Sequence, residues 1–253
     1  MKAITAIIPT FNEETNIGMA IASVSFADEV LVVDSYSSDK TLEIAKSMGA
    51  KIIQRAYENS ASQKNWAIPQ AKHKWIVLLD ADEIVSHELK IEIQTLLKKD
   101  IKEAGFWIYR ENFFLGKKIK YSGWQSDKVI RLFKRDECRY EIKRVHAEIT
   151  SNGKIGFLKN KLVHNTYKNF DQYLSKIERY AKWQSEDLDE KKIKLNPFQF
   201  IFKPPFRFIK HYIIQKGFLD GSVGFIIAAL QSYGVMLRYI YLLKKRTNNE
   251  GRN

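Results

Sequence analysis

The amino-acid sequence predicts an α/β protein whose central sheet is mainly parallel. Short apolar runs rich in strand-forming residues alternate with helical patterns over residues 3–99, and this alternation favours a doubly wound sheet. The chain has 253 residues, of which 45% are hydrophobic. That is enough for one large domain, or for one domain with an appended piece, and it argues against wholesale disorder.

Eight segments carry the alternation, each with its own local signal. The strands are apolar runs bounded by polar turns, and the helices show apolar residues at helical spacing. Ser38 or Asp39 caps the second helix and Gly49 ends it, while Ser86 caps the fourth. The predicted strands cover residues 3–9, 29–34, 51–54 and 75–80, and the predicted helices cover residues 14–23, 40–48, 62–71 and 86–99.

Acidic or polar residues follow three of these strands at the point where each strand ends. They are Asn12 and Glu13 after the first strand, Asp34 at the end of the second, and Asp80 and Asp82 after the fourth. In parallel sheets the carboxyl ends of the strands meet at one edge, where ligands bind. The sequence therefore predicts a ligand site at that edge.

Asp80 and Asp82 follow the buried run as Asp-Ala-Asp-Glu. Side chains alternate along a strand, so the two carboxylates would share a face if the extended backbone continued that far. Two oxygen donors on one face suit Mg²⁺ or Mn²⁺. The alternative is a solvated turn that leads into the helix capped by Ser86.

Composition narrows the class of protein. The formal net charge of +13 predicts attraction to a polyanion: nucleic acid, an anionic membrane face or a phosphorylated substrate. The single cysteine, Cys138, excludes an internal disulfide framework and a cysteine zinc site. Neither a Gly-x-Gly-x-x-Gly pattern nor a Walker loop is present, which disfavours a dinucleotide cofactor and a P-loop.

The second half has a different pattern. Two strand-like runs, 106–109 and 128–133, flank a basic aromatic loop, and a charged helix is predicted at 170–191. Phenylalanines then alternate with basic residues up to position 210, and residues 221–237 carry no charge. This pattern predicts a pair of helices lying on or dipping into a membrane surface. The alternative is a buried helical hairpin, and residues 248–253 are expected to fray.

These residues together resemble glycosyltransferase family 2, inverting transferases of the Rossmann-like GT-A fold. Residues 8–14, Ile-Pro-Thr-Phe-Asn-Glu-Glu, are similar to the opening motif of the family, and residues 32–41 resemble its second nucleotide-binding stretch. The second stretch of the family usually has an acidic residue and a glycine where Ser35 and Tyr36 stand here. Asp80-Ala81-Asp82 resembles the Asp-x-Asp metal motif.

The second half resembles, more loosely, the lipopolysaccharide core β-glucosyltransferase branch, in residues 124–135, 144–148, 162–165 and 216–221. The Gln-x-x-Arg-Trp motif and the multiple spans of processive members are missing, so the resemblance implies one sugar per acceptor. It implies a catalytic domain at 1–165, with a nucleotide half (1–100) and an acceptor half (101–165), a helical membrane-surface region at 166–247 and a tail at 248–253.

The resemblance implies metal-dependent, inverting transfer from a nucleotide-diphosphate sugar, UDP-glucose or a similar UDP-hexose. The acceptor would be a lipid-linked glycan such as lipopolysaccharide core. The enzyme would lie in the cytoplasm, peripherally on the inner face of the cytoplasmic membrane. A divalent cation would offset the charge of the leaving diphosphate.

The resemblance also implies roles for particular residues. Asp34 would accept from the imide N–H of the base, Asp80 would face the ribose and metal-bound water, and Asp127 would be the general base with Glu148 in reserve. The nucleotide-sugar pocket would hold Pro9, Thr10, Asn12, Glu13, Asp34, Lys64, Asp80, Ala81 and Asp82. The metal would meet Asp82, Asp80 and His146, and the acceptor or its phosphate would meet Trp124, Arg131 and Arg144.

Three other interpretations stay open. A transferase onto polyprenyl phosphate would need no strong base, because that acceptor is already ionised. A basic nucleic-acid-binding protein is a different class, and it is disfavoured because the acidic residues concentrate at the strand ends and no binding signature appears. A membrane-associated scaffold with an inactive transferase fold is the third.

Overall fold

A computed structural model describes residues 1–143, 147–167 and 170–250. The chain divides into two compact units. The first comprises Met1–Glu111 and Asp127–Asn165, and the second comprises Asn112–Ser126 and Thr166–Asn253. The predicted boundaries at residues 165, 247 and 248 stay predictions.

The first unit is built on a sheet whose first four strands are parallel. In the sheet the strands lie in the order β3-β2-β1-β4-β8-β6, with β8 antiparallel to both of its neighbours and β11 parallel to β6. The parallel core confirms the predicted fold class. The strands are β1 Ile4–Thr10, β2 Glu29–Asp34, β3 Lys51–Gln54, β4 Trp75–Leu78, β5 Glu83–Val85, β6 Gly105–Phe114, β7 Lys117–Lys118, β8 Lys128–Lys134, β9 Cys138–Tyr140, β10 Ile149–Ser151, β11 Ile155–Phe157 and β12 Leu162–Tyr167.

Helices connect the parallel strands. The third and fourth helices begin with side-chain caps: the Ser86 side chain accepts from the Leu89 N–H, as predicted, and the Asn59 side chain accepts from the Ser62 N–H. At the second helix the N-cap residue is Lys40, which makes no side-chain cap hydrogen bond, and the Asp39 carboxylate accepts from the Thr41 N–H at 3.0 Å. Gly49 has a φ of +77° just after the second helix, which glycine adopts without strain. The helices of this unit are α1 Ile17–Ser23, α2 Thr41–Ser47, α3 Ser60–Ala67 and α4 His87–Leu97, and a 3-10 helix covers Ile68–Gln70.

Both faces of the sheet are buried, which explains why the sequences of its central strands are nearly continuous apolar runs. Along β1, Ile4, Ala6 and Ile8 enter one core cluster, whereas Ile7 enters the other. This alternation follows the two-residue period of a strand. The sole cysteine, Cys138, lies in the second cluster, where burial raises the pKa of its thiol.

The second unit is helical. Its helices are α5 Phe170–Glu190, α6 Pro197–Ile201, α7 Lys203–Ile209 and α8 Gly221–Glu250, with a π-helical turn at Lys210–Ile214 and a 3-10 helix at Gly217–Asp220. Its core joins Phe114 and Ile119 to Tyr173, Val223 and Ile227. Within the described residues, Gly217–Thr247 is the one helical stretch long and apolar enough to cross a membrane, with a mean hydropathy of 1.4. A core helix of a soluble protein can have the same length and composition.

Candidate active site

The carboxyl ends of the parallel strands bring the predicted polar residues to one edge of the sheet. Thr10 pairs in register with Asp34 on the neighbouring strand, and β4 on the other side of β1 ends at Leu78, just before Asp80. This is the edge where open α/β sheets bind their ligands. The topology therefore gathers residues that are far apart in the sequence.

Asp34 is fully buried and is surrounded by neutral donors. Its carboxylate accepts from the N–H and the Oγ of Ser37, at 3.0 and 2.5 Å, and from Nε2 of Gln54 at 2.9 Å. The neighbouring Thr10 hydroxyl is also buried and has no hydrogen-bond partner in the described structure. A buried hydroxyl without a partner is costly, and a bound ligand would satisfy it.

The loop after β1 is tied to the loop after β2. Asn12 has a φ of +53°, its Oδ1 accepts from the Ser38 N–H at 2.9 Å, and its N–H donates to Ser37 Oγ at 2.9 Å. The N–H of Glu13 donates to Thr41 Oγ1 at 2.8 Å. Asn12 and Glu13 thus stabilise the rim of the pocket through their contacts with neighbouring loop residues.

Pro9 causes no loss of pairing in the sheet. It lies beside Val33 on β2, whereas the pairing between β1 and β4 stops at Ile7 and Leu78. Its missing N–H therefore falls beyond the end of the β4 ladder. Ala81, also predicted in the pocket, is a buried residue of the turn that follows β4.

The backbone turns immediately after β4. The Glu83 N–H donates to the Asp80 carbonyl at 2.9 Å, and the Asp80 N–H donates to Glu83 Oε2 at 3.0 Å. The condition for Asp80 and Asp82 to share a strand face, a continued extended backbone, is therefore not met. Asp80 and Asp82 have different partners instead.

A chain of alternating charges runs from Asp80 across the end of the sheet. Asp80 pairs with Lys64 Nζ at 2.7 Å and with the Arg131 guanidinium, which also contacts Glu83 at 2.8 Å. Glu83 in turn contacts Arg110 at 3.2 Å. Arg110 donates two hydrogen bonds, of 2.7 and 2.9 Å, to the carboxylate of Asp127. Side chains from α3, β5, β6, β8 and the turn after β4 thus form one network.

The charges of this network stabilise one another. Burial opposes ionisation of Asp80, yet the charges of Arg131 and Lys64 hold the pKa of that carboxyl well below its usual value of 3.8. Burial likewise disfavours the charged forms of Arg131 and Lys64, but Asp80 raises the pKa of both. The Asp80 side chain is still 35% exposed, so water reaches one side of the pair.

Tyr140 contacts both cations, Lys64 and Arg131. Its ring centroid lies 5.3 Å from Lys64 Nζ, and its hydroxyl oxygen lies 3.2 Å from Nη1 of Arg131. Tyr140 is itself anchored by Asn65, whose amide exchanges two hydrogen bonds with the Tyr140 backbone. The positions of both cations are therefore fixed by packing as well as by charge.

Asp82 lies apart from this network and beside an imidazole. Its Oδ2 is 3.4 Å from His164 Nε2, its carbonyl accepts from the Asn165 N–H at 3.0 Å, and its side chain is 27% exposed. No group of three metal-ligating side chains is found among the described residues. Mg²⁺, however, is often held by one or two carboxylates together with substrate phosphates and water. Asp82 and His164 fit a cation bound in that way.

The remaining predicted residues lie in different places. Glu148 is exposed in the segment before β10 and contacts Glu141, with no recorded contact to the charge network. Trp124 belongs to the second unit, where its ring packs edge-on against Phe114 at 6.1 Å. Arg144 and His146 lie outside the described residues.

Sequence reasoning missed Glu83 and Arg110, and it included His164 as part of the stretch 162–165. Glu83 is fully buried, and a buried carboxylate needs partners, so its position directly after Asp82 was a usable signal. Arg110 interrupts a strand that begins with apolar residues, which is a second signal. For His164 the sequence carries no comparable sign, because only the pairing of β12 with β5 brings it beside Asp82.

Comparison with known proteins identifies the family. The family model described as Glycosyl transferase family 2 matches residues 5–157. An uncharacterised glycosyltransferase of Rickettsia typhi is 30% identical, over 94% of this chain and 86% of that protein. The lipopolysaccharide core biosynthesis glycosyltransferase LpsC of Rhizobium meliloti is 25% identical, over 97% of this chain and 95% of its own.

A third relative matches less than half of the chain. It is UDP-Glc:alpha-D-GlcNAc-diphosphoundecaprenol beta-1,3-glucosyltransferase WfgD of Escherichia coli, which is 30% identical over 45% of this chain and 49% of its own. The family match covers more than half of the sequence. The chain therefore belongs to glycosyl transferase family 2, and it is a nucleotide-sugar glycosyltransferase with the GT-A fold.

Proposed function

We propose that this enzyme transfers one hexose, with inversion, from a UDP-hexose to a lipid-linked glycan acceptor such as lipopolysaccharide core. The observation that carries the proposal is the edge of the sheet, where a buried carboxylate, an unpartnered hydroxyl and a charge network lie at the ends of parallel strands. LpsC is named for lipopolysaccharide core biosynthesis, and the name of WfgD states UDP-Glc as its donor. Glucose is therefore the first sugar to test.

The nucleoside would occupy the pocket beside Asp34 and Thr10. The Asp34 carboxylate accepts hydrogen bonds from neutral donors, and an imide N–H of uracil is a donor of the same kind. The Thr10 hydroxyl would then gain the partner it lacks. Asp80 would face the ribose, and its exposed side leaves room for that contact.

Lys64 and Arg131 are the cations nearest to the diphosphate in this arrangement. Both are held in position by Asp80, and both stay charged at neutral pH. The leaving diphosphate gains negative charge as the bond to the sugar breaks, and fixed positive charge lowers the energy of that state. Asp82 and His164 would hold a divalent cation, which supplies further positive charge at the diphosphate when it is bound.

Asp127 would act as the general base on the acceptor hydroxyl. Its bidentate contact with Arg110 fixes the orientation of the carboxylate, and a base has to be held within reach of the proton it takes. Its side chain is 26% exposed and so can be reached by an acceptor. Glu148 is the reserve candidate for this role.

The enzyme would work on the cytoplasmic face of the membrane, where its lipid-linked acceptor lies. The chain carries a net charge of +13, which favours an anionic membrane surface. The exposed aromatic and aliphatic residues of the helical second unit would form the contact region.

Calorimetric titration of UDP, with and without Mn²⁺, tests the donor site. Wild type is expected to bind UDP in a metal-dependent manner, and Asp82→Ala is expected to lose that dependence because its metal ligand is gone. Glu88→Ala, which removes an exposed carboxylate on α4, is the matched control and should bind as wild type does. Equal binding by wild type with and without metal would contradict the metal part of the proposal.

Turnover assays test the general base. With UDP-glucose and a lipid-linked glycan, Asp127→Asn is expected to lower kcat about 10²- to 10⁴-fold with little change in the KM for the donor, because only the proton transfer is impaired. Unchanged turnover of Asp127→Asn would reject this base. Retained turnover with polyprenyl phosphate as acceptor would favour transfer onto that already ionised group.

A further inference from the structure

The positive charge of this protein is concentrated in one part of the second unit. Residues 191–249 contain eleven lysines and arginines but a single acidic residue, Asp220. The Asp220 carboxylate is occupied, because it accepts from the N–H groups of Lys120 and Tyr121 and from Ser122 Oγ. Asp189 pairs with Lys245 and Arg246. Asp189 and Asp220 are the carboxylates that the described contacts place against residues 191–247.

One helical path in this segment presents its apolar side to the outside. Helix α6, Phe202, α7 and the π-helical turn follow one another from Pro197 to Ile214, and i to i−4 hydrogen bonds connect them at Phe202 and Phe206. A stripe at helical spacing is 47 to 60% exposed in the second unit. We call it the apolar stripe, and it consists of Phe198, Phe202, Phe206, Ile209 and Ile213.

The packed side of the same path is partly polar. Gln199 and His211 are buried, as is Pro204, whose carbonyl accepts from Ser232 Oγ at 2.8 Å. A helix packed on a water-soluble protein buries its apolar residues and exposes its polar ones. This helical path reverses that arrangement, and an exposed apolar surface of this kind marks a contact with an apolar phase.

Two arginines lie where this path packs on α8. Lys203 Nζ donates to the Tyr239 hydroxyl at 2.8 Å; Arg207 lies one turn beyond Lys203, and Arg238 precedes Tyr239. Burial is the main cause that lowers the pKa of the Arg238 guanidinium; Tyr239 opposes this shift, and repulsion from Arg207 adds to it. The buried Arg238 Nε has no hydrogen-bond partner, and no ion pair is recorded for either arginine in the described structure.

We propose that Arg207 and Arg238 bind the phosphate of an anionic membrane lipid while the apolar stripe enters the boundary between headgroups and acyl chains. A guanidinium binds phosphate oxygens through two parallel hydrogen bonds. A helix that lies in the plane of the membrane places its apolar side just below the headgroups. The path from Pro197 to Ile214 is then the membrane contact, and α8 packs behind it without crossing the bilayer.

This inference rests on the proposed location of the enzyme but not on its donor or its base. It predicts a lipid-phosphate site at two particular arginines, which differs from a general attraction between a basic protein and an anionic membrane surface. Two neighbouring arginines without carboxylate partners would repel each other less once a phosphate lies between them, so lipid binding removes a cost that the free protein carries.

Sedimentation with vesicles tests the phosphate site, using the full chain. Wild type is expected to bind vesicles of phosphatidylcholine mixed with phosphatidylglycerol far better than phosphatidylcholine alone. The double variant Arg207→Gln/Arg238→Gln is expected to bind the mixed vesicles about tenfold or more weakly. Lys191→Gln/Lys192→Gln removes the same charge from exposed positions of the same segment, and a clearly smaller loss is expected. Equal losses would overturn the site.

The same assay tests the apolar stripe. Phe206→Ser is expected to weaken binding to mixed vesicles, whereas Ile91→Ser, which removes an exposed apolar side chain from α4 in the first unit, should bind as wild type does. Bound wild type should be released by alkaline carbonate. Retention after carbonate would show a spanning helix and would overturn the arrangement proposed here.

Two further outcomes separate this proposal from others. If inorganic phosphate or generic RNA binds wild type, but not Arg207→Gln/Arg238→Gln, and vesicles do not bind, the arginines serve a soluble ligand and the proposal fails. Calorimetry with UDP should give the same affinity for wild type and for the arginine variant. Vesicle binding without UDP binding would reject the proposed donor alone, and UDP binding without vesicle binding would reject this inference alone.

Discussion

At the scale of single residues, Asp80 is the carboxylate on which two cations depend. Lys64 and Arg131 are both buried, and each is paired with it. Removing the charge of Asp80 takes away the carboxylate that pairs with Lys64, whereas Arg131 keeps its contact with Glu83. Leaving a buried charge without its partner costs more than the pair contributes as a whole. The network therefore ties the stability of the first unit to groups that also lie at the donor site.

Asp80→Asn is expected to lower the free energy of unfolding by about 2 kcal/mol at pH 7. The value is below the range for a fully buried pair, because the Asp80 side chain is 35% exposed. Urea denaturation followed by circular dichroism measures it. Asp136→Asn removes a more exposed carboxylate that pairs with Arg135, and it should cost at most about 0.5 kcal/mol. A similar cost for both variants would contradict the prediction.

The ion pair between Asp80 and Lys64 predicts how the stability of the protein depends on pH. The pKa of Asp80 is lowered in the folded protein, so its contribution is present above the ordinary value of 3.8 and is lost as the pH falls from there towards the folded value. The pKa of Lys64 is raised, so its contribution is present below 10.5 and is lost only as the pH rises further. The difference between wild type and Asp80→Asn should therefore be constant near neutral pH and shrink below pH 3.8. A difference that grows on acidification would contradict this sign.

At the scale of elements, the loop before Trp124 is held to the 3-10 helix Gly217–Asp220. Asp220 accepts from the backbone of Lys120 and Tyr121, and the carbonyl of Ser122 is 2.8 Å from His211 Nδ1. Ser122 has a φ of +60°, a conformation that a serine keeps only when its surroundings fix it. The contacts with Asp220 and His211 fix it, together with the Gln215 carbonyl, which accepts from the Ser122 N–H at 3.1 Å.

Asp220→Ala is expected to free this loop, because two backbone N–H groups and one hydroxyl lose their acceptor. Hydrogen bonds to a charged acceptor contribute about 1.5–3 kcal/mol each, so the loop should open often enough for trypsin to cleave after Lys118 or Lys120 at a faster rate. Limited proteolysis with mass spectrometry measures this. Asp171→Ala removes an exposed carboxylate at the start of α5 and is the control. Equal cleavage of the two variants would show that other contacts hold the loop.

The parallel strands, and the polar residues that follow them, could be predicted from the sequence because each strand is a local apolar run. The turn that follows β4 could not be predicted in this way. Glu83 closes that turn, and the Glu83 side chain is held by Arg110 and Arg131. Those partners are 27 and 48 residues away. Local patterns carry no information about such pairs. The catalytic role of Asp127 therefore stays a prediction, although its contact with Arg110 in the charge network is now described.

At the scale of the whole molecule, the prediction of a helical C-terminal region is confirmed, and its exposed side is the new information. The sequence pattern predicts a helical region at residues 166–247, but it does not show which side of a helix is buried. The usual assumption places apolar residues inward. Only the packing of α7 on α8 shows that the apolar stripe faces outward.

Binding of the donor should stabilise the folded protein. UDP with Mn²⁺ at about one hundred times its dissociation constant is expected to raise the free energy of unfolding by about 2.7 kcal/mol. A chelator should remove most of that gain, because the cation bridges Asp82 to the diphosphate under the proposed function. Thermal unfolding measured with each addition tests this. A gain that is unaffected by chelation would show that the nucleotide binds without the metal.

Because Cys138 is buried, a cysteine introduced on the surface can be labelled selectively without first removing the native one. Its thiol is the sole one in the chain, it is buried in the core of the first unit, and burial raises its pKa, so it is a poor nucleophile at neutral pH. A cysteine introduced at position 206 or 213 would be the reactive one, and an environment-sensitive dye attached there would report how deeply that turn of the helix enters a bilayer.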